Sequence, residues 1–135
     1  MTKVAEIVGS ALALLRVTDA SEAPEAEDMA TGISVLNMMA KTWEAGGYTI
    51  GWTPVANPDD DLASAPEADE ALIYNLAVKL RPRYGQALEP DVVDQARRLK
   101  ADVLAAVFAA NPMEMPRGIP GWRSRYNIRS DGYDF

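Results

Sequence analysis

The sequence contains neither histidine nor cysteine. Without cysteine there are no disulfides and no thiolate metal ligands, and without histidine the usual general base and the commonest metal ligand are missing as well. Chemistry by this chain would rest on carboxylate pairs, as in glycoside hydrolysis, where two acids face each other across a cleft. The acids are not spaced to declare such a pair. Glu67 with Glu70, and Asp91 with Asp94, read instead as favourable charges at helix N-termini. The run Asp59-Asp60-Asp61 lacks the alternating carboxylates, central glycine and distant Glu of a calcium loop. We therefore expect no enzyme, no cofactor and no metal site.

Long apolar runs are also missing. The longest, Ala101 to Ala110, is interrupted by Asp102 and is far short of the roughly 20 residues that span a bilayer, so no membrane contact is expected. The opening Met1-Thr2-Lys3 leads directly into an amphipathic pattern containing Glu6, which does not suit a secretory leader; the chain is expected to remain in the cytosol where it is made. At 48% hydrophobic and 24% charged residues, the balance is that of a globular chain rather than a disordered one, and 135 residues suffice for one core.

Charge is unevenly distributed. The formal net charge is -7, but residues 1–111 hold 9 basic and 17 acidic groups, whereas residues 112–135 hold 4 and 3. Arg117, Arg123, Arg125 and Arg129 follow one another with no acid between them. A basic segment on an acidic body points to an interaction tail.

What is present is helical periodicity. Val4, Ile7, Val8, Ala11, Leu12 and Leu15 make one stripe and predict a helix over residues 2–16. Ser21, Pro24 and the acids Glu22, Glu25, Glu27 and Asp28 suit the start of a second helix at about Glu22, with Met29, Ile33, Leu36, Ala40 and Trp43 as its apolar face and Gly46-Gly47 as its stop at Ala45. Tyr48, Ile50 and Trp52 alternate with smaller residues, as in one short strand or an extended arm. Residues 54–65, rich in Pro, Asp and Asn, read as an exposed loop on which no structure is forced. Ser64-Ala65-Pro66-Glu67 has the form of a capping box and predicts the start of a third helix carrying Leu72, Ile73, Leu76, Ala77 and Leu80, ended or kinked by Pro82. A fourth helix starts at Pro90, carries Val92, Val93, Ala96, Leu99, Val103, Leu104 and Val107 on one face, and stops at Asn111-Pro112. The expected fold is all-α: a four-helix bundle-like body over residues 1–111 with a short extended arm, followed by an extended C-terminal tail over residues 112–135.

That tail is rich in Pro and Gly yet holds Met113, Met115, Ile119, Trp122, Tyr126, Ile128, Tyr133 and Phe135. Leaving such side chains in water forfeits roughly 1.5–3 kcal/mol each, so the tail is expected to dock onto a partner. Arg with Trp and Tyr is the composition of protein interfaces; it also suits contact with DNA, but a body of charge -8 would repel a polyanion. At helical spacing beside Leu36 and Trp43, at least one of Met38 and Met39 is expected to be core, and the arm Tyr48, Ile50 and Trp52 either covers the ends of its own core or reaches a neighbouring subunit.

Taken together, three stretches carry a resemblance. They are Ile7 to Val17, ending Leu14-Leu15-Arg16-Val17; Leu36-Asn37-Met38-Met39-Ala40 followed by Trp43 and Gly46-Gly47-Tyr48; and Glu67 to Leu104, with Ala71, Tyr74-Asn75-Leu76-Ala77, Leu80-Arg81-Pro82, Tyr84-Gly85, a proline-started helix and Ala96 to Lys100. In this order and spacing the chain resembles, over about residues 3–108, the tail accessory factors of short-tailed bacteriophages, also called packaged-DNA stabilisation proteins. The resemblance implies a structural virion protein of the neck or upper tail, made in the host cytoplasm. It implies a head-to-tail adaptor forming a twelve-fold homo-oligomeric ring under the portal protein, with downstream nozzle or needle proteins below and DNA passing through the lumen without specific binding. It also implies a C-terminal segment lying against the portal, here Arg117, Trp122, Arg123, Arg125, Tyr126 and Arg129. The rival readings are a muralytic enzyme and a free helical interaction domain.

Overall fold

Among the described residues four helices form near where the periodicity places them: α1 (Val4–Leu14), α2 (Ala26–Ala45), α3 (Asp69–Tyr84) and α4 (Pro90–Ala110), with one 3-10 turn, Pro66–Ala68, leading into α3. The computed structural model describes residues 2–19, 21–87 and 89–110. The described residues contain no strand, and the fold is all-α. Asn111 and the tail, residues 112–135, lie outside the described residues.

Helix α3 is the centre of the arrangement, packing on α1, α2 and α4, while α1 also packs on α2. The stripe read from α1 is buried in full, from Val4 to Leu15, as is the stripe Met29, Ile33, Leu36, Ala40 and Trp43 of α2. Leu72, Leu76, Ala77 and Leu80 of α3 close the core between them. Each large side chain removed from water contributes about 1.5–3 kcal/mol, so these three helices carry most of the stabilisation. Helix α4 differs. Of its predicted face only Ala96 and Val103 are buried, and it packs on α3 and the 3-10 turn alone among the helical elements. Asn75 of α3 ties it down by donating from Nδ2 to the carbonyl of Ala96 (3.0 Å) as well as to that of Ala71 (2.8 Å).

Where α1 crosses α2, Gly32 lies against Val8 so closely that a Cβ on Gly32 would overlap the valine Cγ1. The absent side chain sets the distance between the two helices. Both helices end in the same way. The N–H of Tyr48 bonds to the carbonyl of Trp43 (3.0 Å) and that of Gly47 to Glu44 (3.2 Å), with Gly47 left-handed at φ 92. At the end of α1, the N–H of Val17 bonds to Leu12 (3.1 Å) and that of Arg16 to Ala13 (3.0 Å), with Arg16 taking the left-handed position at φ 57. These are Schellman closures, which satisfy carbonyls that a helix end otherwise leaves open.

Three expectations about helix ends change. Helix α2 begins at Ala26, not Glu22. The residue before a proline is disfavoured in helical conformation, and Ser21–Glu22 instead forms a turn in which the Glu22 N–H bonds to the Asp19 carbonyl (3.0 Å); the Pro24 ring lies 3.9 Å from where a Cβ on Gly9 of α1 would stand. Ser64 does not cap α3, because a 3-10 turn intervenes and the Ser64 hydroxyl is buried without a partner among the described residues. Pro82 does not end α3; it lies within the last turn, and the helix closes at Gly85 in the left-handed region (φ 62), whose N–H bonds to the Arg81 carbonyl (3.1 Å).

The segment expected to be a free loop is docked. Val55 and Leu62 are buried in the core, and Lys3 and Asp61 form an antiparallel bridge. The loop carbonyls of Asp60 and Pro58 accept the N–H groups of Val4 (3.1 Å) and Ala5 (3.0 Å). The first turn of a helix has donors with no partner inside the helix, and this loop supplies two of the acceptors. Leu62 returns an N–H to the Thr2 carbonyl (3.0 Å).

Candidate interaction surface

The three consecutive acids of that loop each have a structural task. Asp60 accepts the N–H groups of Asn57 (2.9 Å) and Ala56 (3.0 Å), and those amides hold its carboxyl below the usual carboxylate range. Asp61 pairs with the Lys3 ammonium at 2.9 Å, and the Asp59 carbonyl accepts from the same group at 3.0 Å. Among the described residues no group of three or more acids is placed to hold a metal ion, and no helix is long and apolar enough to cross a membrane.

The alternating segment Tyr48, Ile50 and Trp52 is an extended arm and not a strand. One side-chain oxygen holds it: Glu44 Oε1 accepts the N–H of Ile50 and that of Trp52, each at 3.0 Å. Ile50 enters the core, while Tyr48 and Trp52 are half-buried against it. This arm therefore covers the end of its own core, with the outer parts of two rings left at the surface. Lys100 of α4 completes the arrangement with its ammonium over the rings of Tyr48 (5.1 Å) and Trp43 (5.4 Å). The sequence marks Lys100 only as part of a helical run; nothing local to it signals contact with residues more than fifty positions away.

Beside the arm lies an open groove of about 590 Å³. Its walls are Ile50 of the arm, Ala65 and Ala68 around the 3-10 turn, and Leu99, Val103, Val107 and Ala110 of α4. The charged residues on it are two acids, Glu67 and Asp102, and neither has an ion-pair partner among the described residues. On the other side of α4, half a turn away, Phe108 stands 59% exposed with Leu104 half-buried and Ala101 and Ala105 exposed beside it. The C-terminal half of α4 is thus apolar around its whole circumference apart from Asp102. A helix of that kind is normally surrounded, and α3 covers only part of it. Of the methionine pair, Met39 is core and Met38 is 53% exposed, in a shallow site with Lys79 and Arg83.

The tail residues Arg117, Trp122, Arg123, Arg125, Tyr126 and Arg129 lie outside the described residues; the groove and the Phe108 face are candidate surfaces that sequence reasoning did not single out. The signal is present in Ala101 to Ala110, where the lack of a polar face reads equally well as burial against the chain's own core. No protein-family model matches this chain, and no curated protein matches it.

Proposed function

We propose that the protein is a structural adaptor of a short-tailed bacteriophage, working as a ring of identical copies beneath a portal protein and joining it to later tail proteins. The observation that carries the assembly part is the apolar side of the C-terminal half of α4 around Phe108, which the described chain leaves exposed. A head-to-tail contact between copies uses two different surfaces of one subunit, and rings close when the rotation between them permits. The Phe108 face supplies one such surface. The order and spacing of the three stretches that resemble tail accessory factors support the portal assignment, and the basic, aromatic segment from Trp122 to Arg129 supplies a docking tail of opposite charge to the body. Many weak contacts repeated around a ring give tight attachment without any one of them being strong.

The test is electron microscopy of the protein mixed with the portal ring of its own phage, preceded by sizing of the protein alone. Added density under the portal is expected with the full chain and not with residues 112–135 removed, nor with Trp122→Ala and Arg125→Ala together, while circular dichroism of these variants stays helical. Phe108→Glu is expected to weaken association between copies without unfolding the body. A protein that stays monomeric and ignores the portal at every salt concentration would overturn the reading.

A further inference from the structure

The groove beside α4 runs along the helix to Ala110, the point from which the chain continues into its last residues, beginning Asn111-Pro112-Met113-Glu114-Met115-Pro116-Arg117. We propose that residues 112–117 of the same chain turn back along α4 and fill this groove, seating Met113 and Met115 on it and bringing Arg117 to Asp102 and Glu67. This takes Arg117 out of the set of residues expected to dock on a portal and leaves that role to Trp122, Arg123, Arg125, Tyr126 and Arg129.

Direction comes from Asn111-Pro112. A residue before proline is disfavoured in helical conformation, and proline itself cannot continue the hydrogen-bonding of the helix, so the chain leaves α4 here. Pro116 and Pro120 favour an extended backbone in the residues beyond.

Length fixes the register. Ala110 and Asp102 are about 12 Å apart along the axis at roughly 1.5 Å per residue, a distance that about four extended residues cover at roughly 3.3 Å each. If Met113 begins beside Ala110, Met115 falls opposite Ala106 and Arg117 falls opposite Asp102. The two methionines thus meet the apolar wall. The first arginine of the tail meets the unpaired acids.

Chemistry agrees with this register. Met is unbranched and adapts to irregular apolar surfaces, and the groove is open rather than shaped for one rigid ring. Its charged residues are both acidic, while the segment's Arg117 is the first of four arginines. A seated segment would also set the direction in which Trp122 to Arg129 leave the body.

The chain has no cysteine, so a pair of introduced thiols reports the seat cleanly. In the full-length protein, Ala106→Cys with Met115→Cys is compared with Phe108→Cys and Met115→Cys, whose first thiol lies on the opposite side of α4. Both α4 positions are exposed, and helicity is checked by circular dichroism. Under mild oxidation at low protein concentration the first pair is expected to close within one chain about tenfold faster than the second, as a higher effective concentration requires. Equal rates for the two pairs would overturn the seat, and disulfides formed mainly between chains would assign the groove to a neighbouring copy and overturn it as well. Arg117→Glu is expected to slow closure of the first pair and Asp102→Arg added to it to restore the rate; closure indifferent to both would remove Arg117 from the seat. Because no portal is present, failure here is distinguishable from failure of the docking proposal.

Discussion

Asn37 holds Val55 by both edges of its amide: Nδ2 donates to the Val55 carbonyl at 2.7 Å, and Oδ1 accepts the Val55 N–H at 3.0 Å. The side chain stands in for a strand neighbour and ties the loop of residues 54–65 to α2. Val55 is buried, so both of its backbone groups need partners away from water. Asn37→Leu removes both partners and leaves them unpaired, which costs about 1–3 kcal/mol. Asn37→Asp keeps the acceptor but loses the donor and is expected to be only partly better. Thermal unfolding gives the loss, and hydrogen exchange is expected to rise first in residues 54–62 and at the Val4 and Ala5 amides that the loop carbonyls accept.

Gly32 and Gly9 make a controlled comparison, because both are glycines inside helices and only one is at a close approach. Gly32→Ala drives its methyl into Val8, a fully buried β-branched side chain with little freedom to turn away. Overpacking of this kind costs about 1–3 kcal/mol. Gly9→Ala meets nothing nearer than the Pro24 ring at 3.9 Å, and alanine is favoured over glycine in a helix interior by about 1 kcal/mol. Chemical denaturation is expected to move in opposite directions for the two variants. A Gly32→Ala protein as stable as the parent would show that α1 and α2 can separate without loss.

These contacts mark the boundary of what the chain reveals before folding. The stripes of α1 and α2 are legible to the residue, because a repeat of three and four needs only local information. The left-handed close at Gly47 is legible for the same reason. The docking of Asn37 on Val55, of the Asp60 carbonyl on α1 and of Lys100 over Trp43 and Tyr48 is not, since each joins positions 18 or more residues apart and no periodicity encodes the partner. The start of α2 is misplaced by local rules because Ser21, Pro24 and four acids satisfy them at Glu22, while a turn at Asp19–Glu22 claims the residues first. The surface of α4 escapes sequence reasoning on similar grounds: an apolar residue facing a core and one facing an absent partner are written alike.

Tyr84 gives the body a pH dependence of predictable sign. Its hydroxyl donates to Asp28 Oδ1 at 2.9 Å, joining the end of α3 to the start of α2. Burial first, and then the hydrogen bond to the Asp28 carboxylate, push the phenol up to about 12 from an ordinary value of 10.0. The unfolded chain therefore gives up this proton at lower pH than the folded one. The stabilisation is complete below pH 10 and is lost as pH rises from there through about 12, because ionised tyrosinate would face a carboxylate it can no longer donate to. Tyr84→Phe removes the donor while keeping the ring, at a cost of about 1 kcal/mol near neutral pH. Denaturant midpoints measured from about pH 8 to 12 are expected to fall more steeply for the parent than for Tyr84→Phe, with the two curves converging at the alkaline end. Parallel curves across that range would mean that Tyr84 titrates alike in the folded and unfolded chain, and that its contact with Asp28 contributes nothing specific to holding the two helix ends together.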